Sequence, residues 1–415
     1  MILAVGEAQA SGDASLPVEP LPPVALYLHF PFCLSICPYC DFVVVAGRAA
    51  RGPGSRIEEL VAEIEREIGL RAPVGRVGLR SVYLGGGTPS LLAPAQVARL
   101  LAAVEAGFGI APEAEITLEA NPGPAERGDL AGFRAAGVNR LSIGAQSMAA
   151  AELRRLGRRH SPADVRAAVR LARAAGFENV SLDVLYDVPG QTLDSWHTTL
   201  QAALALEPDH LSAYALTLDD PDADGLTGPL GDHLPLRPGA RRWRRRAAAE
   251  QGDDRAADMY LLADQRFEAA GLGWYEISNW SRPGRESQHN LVYWLGGAWE
   301  AVGPGAHSFD GVRTRRWNAA RLDGYVNALA RGELPPGGAE VLDPAISEAE
   351  QAILRLRTRR GLVRPAADLW PALAWARGAG LAEPAAGGAV RLTRMGRLAS
   401  NEVFLRLLPD HARAA

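Results

Sequence analysis

Cys33-Leu34-Ser35-Ile36-Cys37-Pro38-Tyr39-Cys40 holds all three cysteines of a 415-residue chain within eight positions. No other thiol exists to pair with them. A disulfide framework needs an even count spread through a short secreted chain, so three clustered thiols read as metal or cluster ligands, or as a redox site. The spacing is Cys-x3-Cys-x2-Cys. Three thiolates can hold three irons of a four-iron, four-sulfur cluster and leave the fourth open to a small molecule, whereas a purely electron-transferring cluster usually takes four cysteines. Two alternatives stand beside this reading. One is a structural zinc site with His29, four residues before Cys33, as fourth ligand, although such sites usually bring their ligands as two separated pairs. The other is three buried structural cysteines.

Outward from this loop, strands and helices alternate. Residues 24–29 are a short apolar run that delivers Cys33 to the loop after it. Residues 55–70 place Ile57, Leu60, Val61, Ile64 and Ile68 at helical spacing. The alternation continues with strands at 80–84, 116–118, 140–143, 180–184 and 210–214. Helices are predicted at 93–108, 127–136, 149–156, 162–175 and 193–206. Such alternation implies parallel strands joined by right-handed crossovers, a barrel or partial barrel with chemistry at the C-terminal strand ends. The cysteine loop, Gly85-Gly86-Gly87-Thr88-Pro89, Glu119, Gln146 and Asp183 are all expected at those ends.

Residues 219–254 break the rhythm with acidic and Gly/Pro-rich turns and then Arg241-Arg242-Trp243-Arg244-Arg245-Arg246. A basic run interrupted by tryptophan can grip RNA or an anionic lipid; a solvated surface insertion is the commoner explanation and the one adopted. A helix over 255–270 and an aromatic strand and turn over 274–280 follow. Past residue 338, helices at 347–359 and 366–376, a strand at 389–392 and a final helix at 393–407 suggest a small winged-helix-like C-terminal domain, 338–415. The barrel with its extension is assigned to 23–337. Residues 1–22 read as a flexible tail, with neither the basic nor the apolar region of a signal peptide.

Composition bounds the function. The 44 basic and 48 acidic side chains give a net charge of -4, with no global attraction to nucleic acid or acidic membranes. The sequence contains no lysine, which excludes lysine-based catalysis. No run approaches the roughly 18 apolar residues of a membrane-spanning helix. A cytoplasmic location, where thiolates survive to bind iron, is expected.

Tyr27-Leu28-His29-Phe30-Pro31-Phe32-Cys33, running into Cys37-Pro38-Tyr39-Cys40-Asp41-Phe42, resembles the signature of radical S-adenosylmethionine (SAM) proteins. More narrowly, it is similar to the oxygen-independent coproporphyrinogen oxidase group and its close relatives, the HemW-type heme chaperones. The resemblance spans nearly all of residues 24–410 and includes the GGGTPS, ANPG and HNxxYW segments. It implies a radical SAM partial (β/α)6 TIM-like barrel, with Cys33, Cys37 and Cys40 holding a [4Fe-4S] cluster and SAM on its open iron. Tyr27, Tyr39, Gly86, Gly87, Thr88, Glu119, Gln146, Arg158 and Asp183 then become cofactor residues. From the residues alone, the triple glycine is a turn that lets bare backbone approach a ligand, and the polar residues are strand-end groups. The family's chemistry is one-electron reduction of the cluster and cleavage of the SAM sulfonium to methionine and a 5'-deoxyadenosyl radical.

Two features separate the branches. Coproporphyrinogen oxidases of the family follow the last cluster cysteine with a Gly-Cys pair, whereas Cys40 is followed by Asp41-Phe42. His289-Asn290-Leu291-Val292-Tyr293-Trp294 resembles the His-Asn-x-x-Tyr-Trp motif of the chaperones. A neutral imidazole can ligate heme iron and neighbouring aromatics can face a porphyrin, so His289 is the first candidate for heme contact and His307 the second. A core histidine beside packing aromatics is the alternative. The resemblance implies a protein that passes heme to apo-hemoproteins, membrane-associated respiratory proteins among them. It also implies a flavodoxin or ferredoxin donor if SAM is cleaved, and leaves room for a homodimer. The rivals are coproporphyrinogen dehydrogenation and, on the arginine-tryptophan run alone, RNA modification. Two departures stand out: Asp187 occupies a position where the family commonly has glycine, and the 219–254 insertion is long.

Overall fold

The computed structural model describes residues 19–409 and 412. The predicted tail over 1–22 lies outside them except for its last four residues. Six strands run parallel and in sequential order: β1 (Ala25–Phe30), β2 (Leu79–Gly86), β3 (Ile110–Ala120), β4 (Arg140–Gln146), β5 (Val180–Tyr186) and β6 (His210–Ala215). Helices Ile57–Arg71, Pro94–Gly107, Leu130–Ala135, Ala150–Arg155, Pro162–Ala174 and Leu193–Leu204 cover the outside. Ser161 and Thr192 start two of these helices by accepting the N3 amide of Asp164 and Ser195, which satisfies otherwise orphaned donors. The alternation predicted from the sequence is therefore the architecture.

The sheet continues past both edges of this six-strand arc. Beyond β6, Asn279–Ser281 and Gly273–Glu276 add antiparallel; beyond β1, Trp299–Val302 adds parallel, followed by antiparallel His307–Phe309, Thr314–Asn318 and Gly337–Val341. The final strand crosses residue 338, where the sequence suggested a change of domain. C-terminal to it, helices Pro344–Leu356, Trp370–Gly378, Arg394–Leu398 and Ser400–Leu407 pack around a three-stranded antiparallel sheet, with their own apolar cluster centred on Leu356, Leu373 and Leu392. The predicted final helix is broken at Ala399.

Two sides of each central strand differ. Outward residues such as Leu26, Val82, Leu118, Leu141, Leu182 and Leu211 are fully buried under the helices. Inward residues at alternate positions are polar: Ser81 and Tyr83, Arg140 and Ser142, Ser181 and Asp183, Ser212 and Tyr214. The barrel thus encloses a polar interior, with Tyr27, Tyr83, Glu119 and Asp183 partly accessible and Tyr214 exposed. No helix among the described residues is long and apolar enough to cross a membrane.

Candidate functional site

The cysteine loop leaves β1 at the C-terminal mouth. Phe32–Cys33 pairs in parallel with Val45–Ala46, closing the excursion onto itself. Inside the loop, the amide of Cys40 donates to the carbonyl of Cys37 at 3.1 Å. Thr88 Oγ1 lies 3.3 Å from Cys33 Sγ and accepts from Asn121 Nδ2 at 2.9 Å. Arg158 reaches Cys37 Sγ at 3.8 Å from Nη1, and its Nη2 donates to Asn121 Oδ1 and to the carbonyl of Gly144 at 3.1 Å. Thr88 and Asn121 from the ends of β2 and β3, and Arg158 from the loop after helix Ala150–Arg155, therefore converge around the thiols.

The triple glycine serves the loop itself. A Cβ on Gly87 would stand 2.8 to 2.9 Å from backbone atoms of Phe30, Pro31 and Phe32, and one on Gly86 would meet the His29 ring at 2.6 Å. The amide of Gly87 donates to the carbonyl of Phe30 at 2.7 Å and that of Gly86 to Glu119 Oε2 at 3.1 Å. Bare backbone here admits the cysteine loop.

The donor set fits an iron-sulfur cluster. Burial pushes the Cys33 thiol up to about 11, and burial together with the neighbouring Cys33 and Cys37 sulfurs raises Cys40 further. Mutually repelling thiolates are what a cationic iron centre relieves, with release of protons. Among the described residues, no three His, Cys, Asp or Glu side chains converge tightly enough for a single metal ion. The zinc alternative also loses its fourth ligand. His29 Nδ1 bonds the Tyr27 hydroxyl at 3.0 Å and Nε2 bonds the Val43 carbonyl at 2.9 Å; burial lowers its pKa to about 4.

Deeper in the barrel, Glu119 accepts from the Tyr83 hydroxyl at 2.8 Å, and desolvation raises its pKa to about 7 despite that bond. Gln146 holds φ at +61°, left-handed and unusual for a side chain of its kind, where the register between β4 and β5 shifts. Asp183 differs from expectation. It sits mid-strand opposite Ser212, accepting from Ser142 Oγ at 3.0 and 3.2 Å, one layer below the rim. Burial raises its pKa. The Tyr27 and Tyr83 rings lie tilted at 31° to one another, centroids 6.0 Å apart. The Tyr39 ring packs into a cluster with Leu156, Leu185, Val188 and Trp243. Tyr83 and Asn121 were not singled out from the sequence; the alternation Ser81-Val82-Tyr83 and the strand-end position of Asn121 were the available signals.

The two histidine candidates occupy opposite ends. His289, 1% exposed, lies on helix Gln288–Trp294, which plugs the barrel floor. Its Nδ1 bonds Ser81 Oγ at 3.0 Å and its Nε2 the Tyr293 hydroxyl at 2.7 Å, while Glu115 accepts its amide at 3.2 Å. Burial lowers its pKa to about 3, so the ring is neutral. Trp294 has the Arg357 guanidinium 4.5 Å over its ring, while its buried Nε1 has no hydrogen-bond partner among the described residues. His307 stands at the cysteine-loop end. A Cβ on nearby Gly305 would be 2.5 Å from Val43 Cγ2 and 3.1 Å from the Asp232 carbonyl. Its Nε2 is 2.8 Å from Asp232 Oδ2 and its ring stacks on Trp317 at 6.1 Å. The turn before it is fixed by buried Glu67, which accepts the Gly303 amide at 2.8 Å.

Two other expectations change. The run taken as a solvated surface insertion forms helix Pro238–Ala248, and Arg244 within it is buried. Asp187, where glycine was expected, keeps a glycine-like φ of +54°; its carboxylate accepts from Arg255 Nε and Nη2 at 2.9 and 2.5 Å.

Parallel strands delivering a three-cysteine loop to the mouth of a six-unit barrel define a class, and residues 27–203 match the Radical SAM superfamily. The fold is also that of coproporphyrinogen III oxidase from Escherichia coli, whose structure superposes with a TM-score of 0.76 at 22% identity, covering 94% of this chain and 91% of that one. Among similar proteins, the heme chaperone HemW of Mycobacterium tuberculosis is 41% identical over 87% of this chain and 88% of its own. The HemW proteins of Escherichia coli and Bacillus subtilis are 36% and 31% identical, over 69% and 91% of this chain and 70% and 97% of their own. The chain belongs to the HemW family.

Proposed function

We propose that this protein is a heme chaperone that holds a [4Fe-4S] cluster on Cys33, Cys37 and Cys40, binds SAM beside it, and passes heme to apo-hemoproteins in the cytoplasm or at its membrane. The observation that carries the reading is the similarity to heme chaperones over nearly the whole chain, joined to a thiol loop braced by Thr88 and Arg158. When bound, the cluster would supply an electron to the SAM sulfonium, drawn from a flavodoxin-like or ferredoxin-like donor. The chain's own part is positioning. Ionised Glu119 suits a cationic amine, Gln146 and Asp183 suit ribose hydroxyls, and the guanidinium of Arg158 suits a carboxylate.

For heme iron, His307 is the better ligand on this reading. Both nitrogens of His289 are engaged inside the floor, so ligation there would break two buried hydrogen bonds. His307 keeps Nδ1 without a hydrogen bond among the described residues, and Asp232 orients the ring from Nε2, the arrangement usual for metal-bound imidazole. The similarity to heme chaperones and the packing of Trp243 on Tyr39 favour this reading over RNA modification, with Arg242, Arg245 and Arg246 left exposed on the helix.

The test is titration of heme into anaerobically reconstituted protein with and without the cluster, followed by mixing with an apo-hemoprotein. Stoichiometric binding and transfer support the reading. Conversion of coproporphyrinogen to protoporphyrinogen without stable heme binding would replace it with the oxidase alternative.

A further inference from the structure

Helix Pro238–Ala248 is polar around most of its circumference, with Arg242, Arg245 and Arg246 exposed, yet Arg244 is only 4% exposed. Its guanidinium faces the cysteine loop. Nε donates to the Pro38 carbonyl at 3.2 Å, Nη2 to the Tyr39 carbonyl at 2.8 Å, and Nη1 to the Asp219 carbonyl. Pro38 and Tyr39 are the two residues between Cys37 and Cys40. Trp243 beside it packs on Tyr39 at 6.5 Å and donates to the Arg155 carbonyl at 3.1 Å.

Two physical points follow. A loop whose one internal backbone bond among the described residues is the Cys37–Cys40 turn takes its shape from outside, and a planar fork of donors can fix two successive carbonyls at once. No ion pair to Arg244 exists among the described residues, and its three acceptors are carbonyls. Its positive charge therefore lies against the loop with no carboxylate in ion-pair contact, shielded from water, where it acts strongly.

We propose that Arg244 is a positioning residue for the cluster, bracing the peptides between its last two ligands and favouring its one-electron-reduced state. The proposal rests on the cluster reading above. Arg244→Gln and Arg244→Lys test it in the full chain after anaerobic reconstitution. Iron and sulfide content, the rate of iron loss to a chelator, the midpoint potential of the cluster and the melting temperature of the cluster-free protein are the readouts. R244Q should lose iron roughly 10- to 100-fold faster, the usual cost of removing an outer partner of a metal site, with a more negative potential. R244K, which keeps the charge but not the fork, should restore the potential while still losing iron faster than wild type. If R244Q does not fold, the R244K pair of values decides the point. Unchanged iron loss and potential overturn the proposal, as does a lowered melting temperature with no change in either, which would make Arg244 only a strap. Wild-type protein that takes up no iron and sulfide would instead overturn the cluster reading itself.

Discussion

His289 on the barrel floor and His307 at its mouth each stand beside aromatic side chains, but only one has chemistry to spare. The floor is closed: Ser81, Tyr293 and Glu115 take up the ring and amide of His289, and His210 is held likewise between Ser181 and Tyr275 at 2.8 and 2.7 Å. At the mouth, His307 is half-exposed, oriented by a carboxylate and stacked on Trp317. Beyond it, Phe42, just past the last cysteine, is 64% exposed. The same residue types thus build a sealed support in one place and an open, oriented site in the other. A histidine-tyrosine-tryptophan motif is evidence of a ligand site only after its own hydrogen bonds are counted.

Five expected outcomes follow, the first two bearing on that contrast. The largest belongs to the mouth: serine at Cys33, Cys37 or Cys40 should reduce iron and sulfide after reconstitution to background. Next, Asp232→Asn should weaken heme binding roughly 10- to 100-fold and His307→Ala at least as much, by spectroscopic titration. His289→Ala should leave heme affinity near wild type but lower stability by about 1–3 kcal/mol in denaturant unfolding, since Ser81 and Tyr293 lose a buried partner. The reverse ranking would move the heme to the floor.

The third outcome concerns acid. Burial holds His29 and His160 at about 4 and His289 at about 3, and lowers His210 as well, all from an ordinary 6.5. Below pH 6.5 the unfolded chain takes up protons that the folded protein refuses, so stability present above that pH is lost as pH falls, by up to about 1.4 kcal/mol per unit for each group. Glu119 acts in the opposite sense. Raised from 4.5 to about 7, it keeps a proton in the folded protein that the unfolded chain has released, so it lowers stability as pH rises through that window. Asp183, Glu300 and Glu350, raised by burial, and His233, raised by its bond to Asp232, add to the Glu119 side. The histidine share is therefore read by difference: cluster-free His289→Ala protein, which lacks one of the lowered groups, should lose less melting temperature between pH 6.5 and 5 than wild type does. SAM binding should strengthen as pH rises through about 7, and Glu119→Gln should abolish that dependence. Smallest of all, Asp187→Gly relieves a positive φ but loses the Arg255 pair; denaturant unfolding should place it within about 1 kcal/mol of wild type.

The alternation of strands and helices was legible because the outward face of every strand is apolar and the covering helices are amphipathic. Strand lengths were not. The strand predicted at 116–118 spans Ile110–Ala120 and that at 140–143 runs to Gln146, because inward residues of a polar-lined barrel look like loop residues in sequence. The cysteine spacing announced the site, and Thr88 and Arg158 were found through resemblance. Arg244 could not be, since a run of five arginines around one tryptophan carries no sign of which guanidinium turns inward; that depends on a loop some 200 positions away. Asp187 read as a departure, yet it keeps the backbone conformation and adds an ion pair.

The central claim, that the chain carries heme to other proteins, is tested most directly by loading it with one equivalent of heme and following transfer to an apo-hemoprotein. The account predicts that wild type and His289→Ala both bind and transfer, while His307→Ala binds poorly and transfers little. Absence of stoichiometric heme binding by the wild-type, cluster-loaded protein would contradict it.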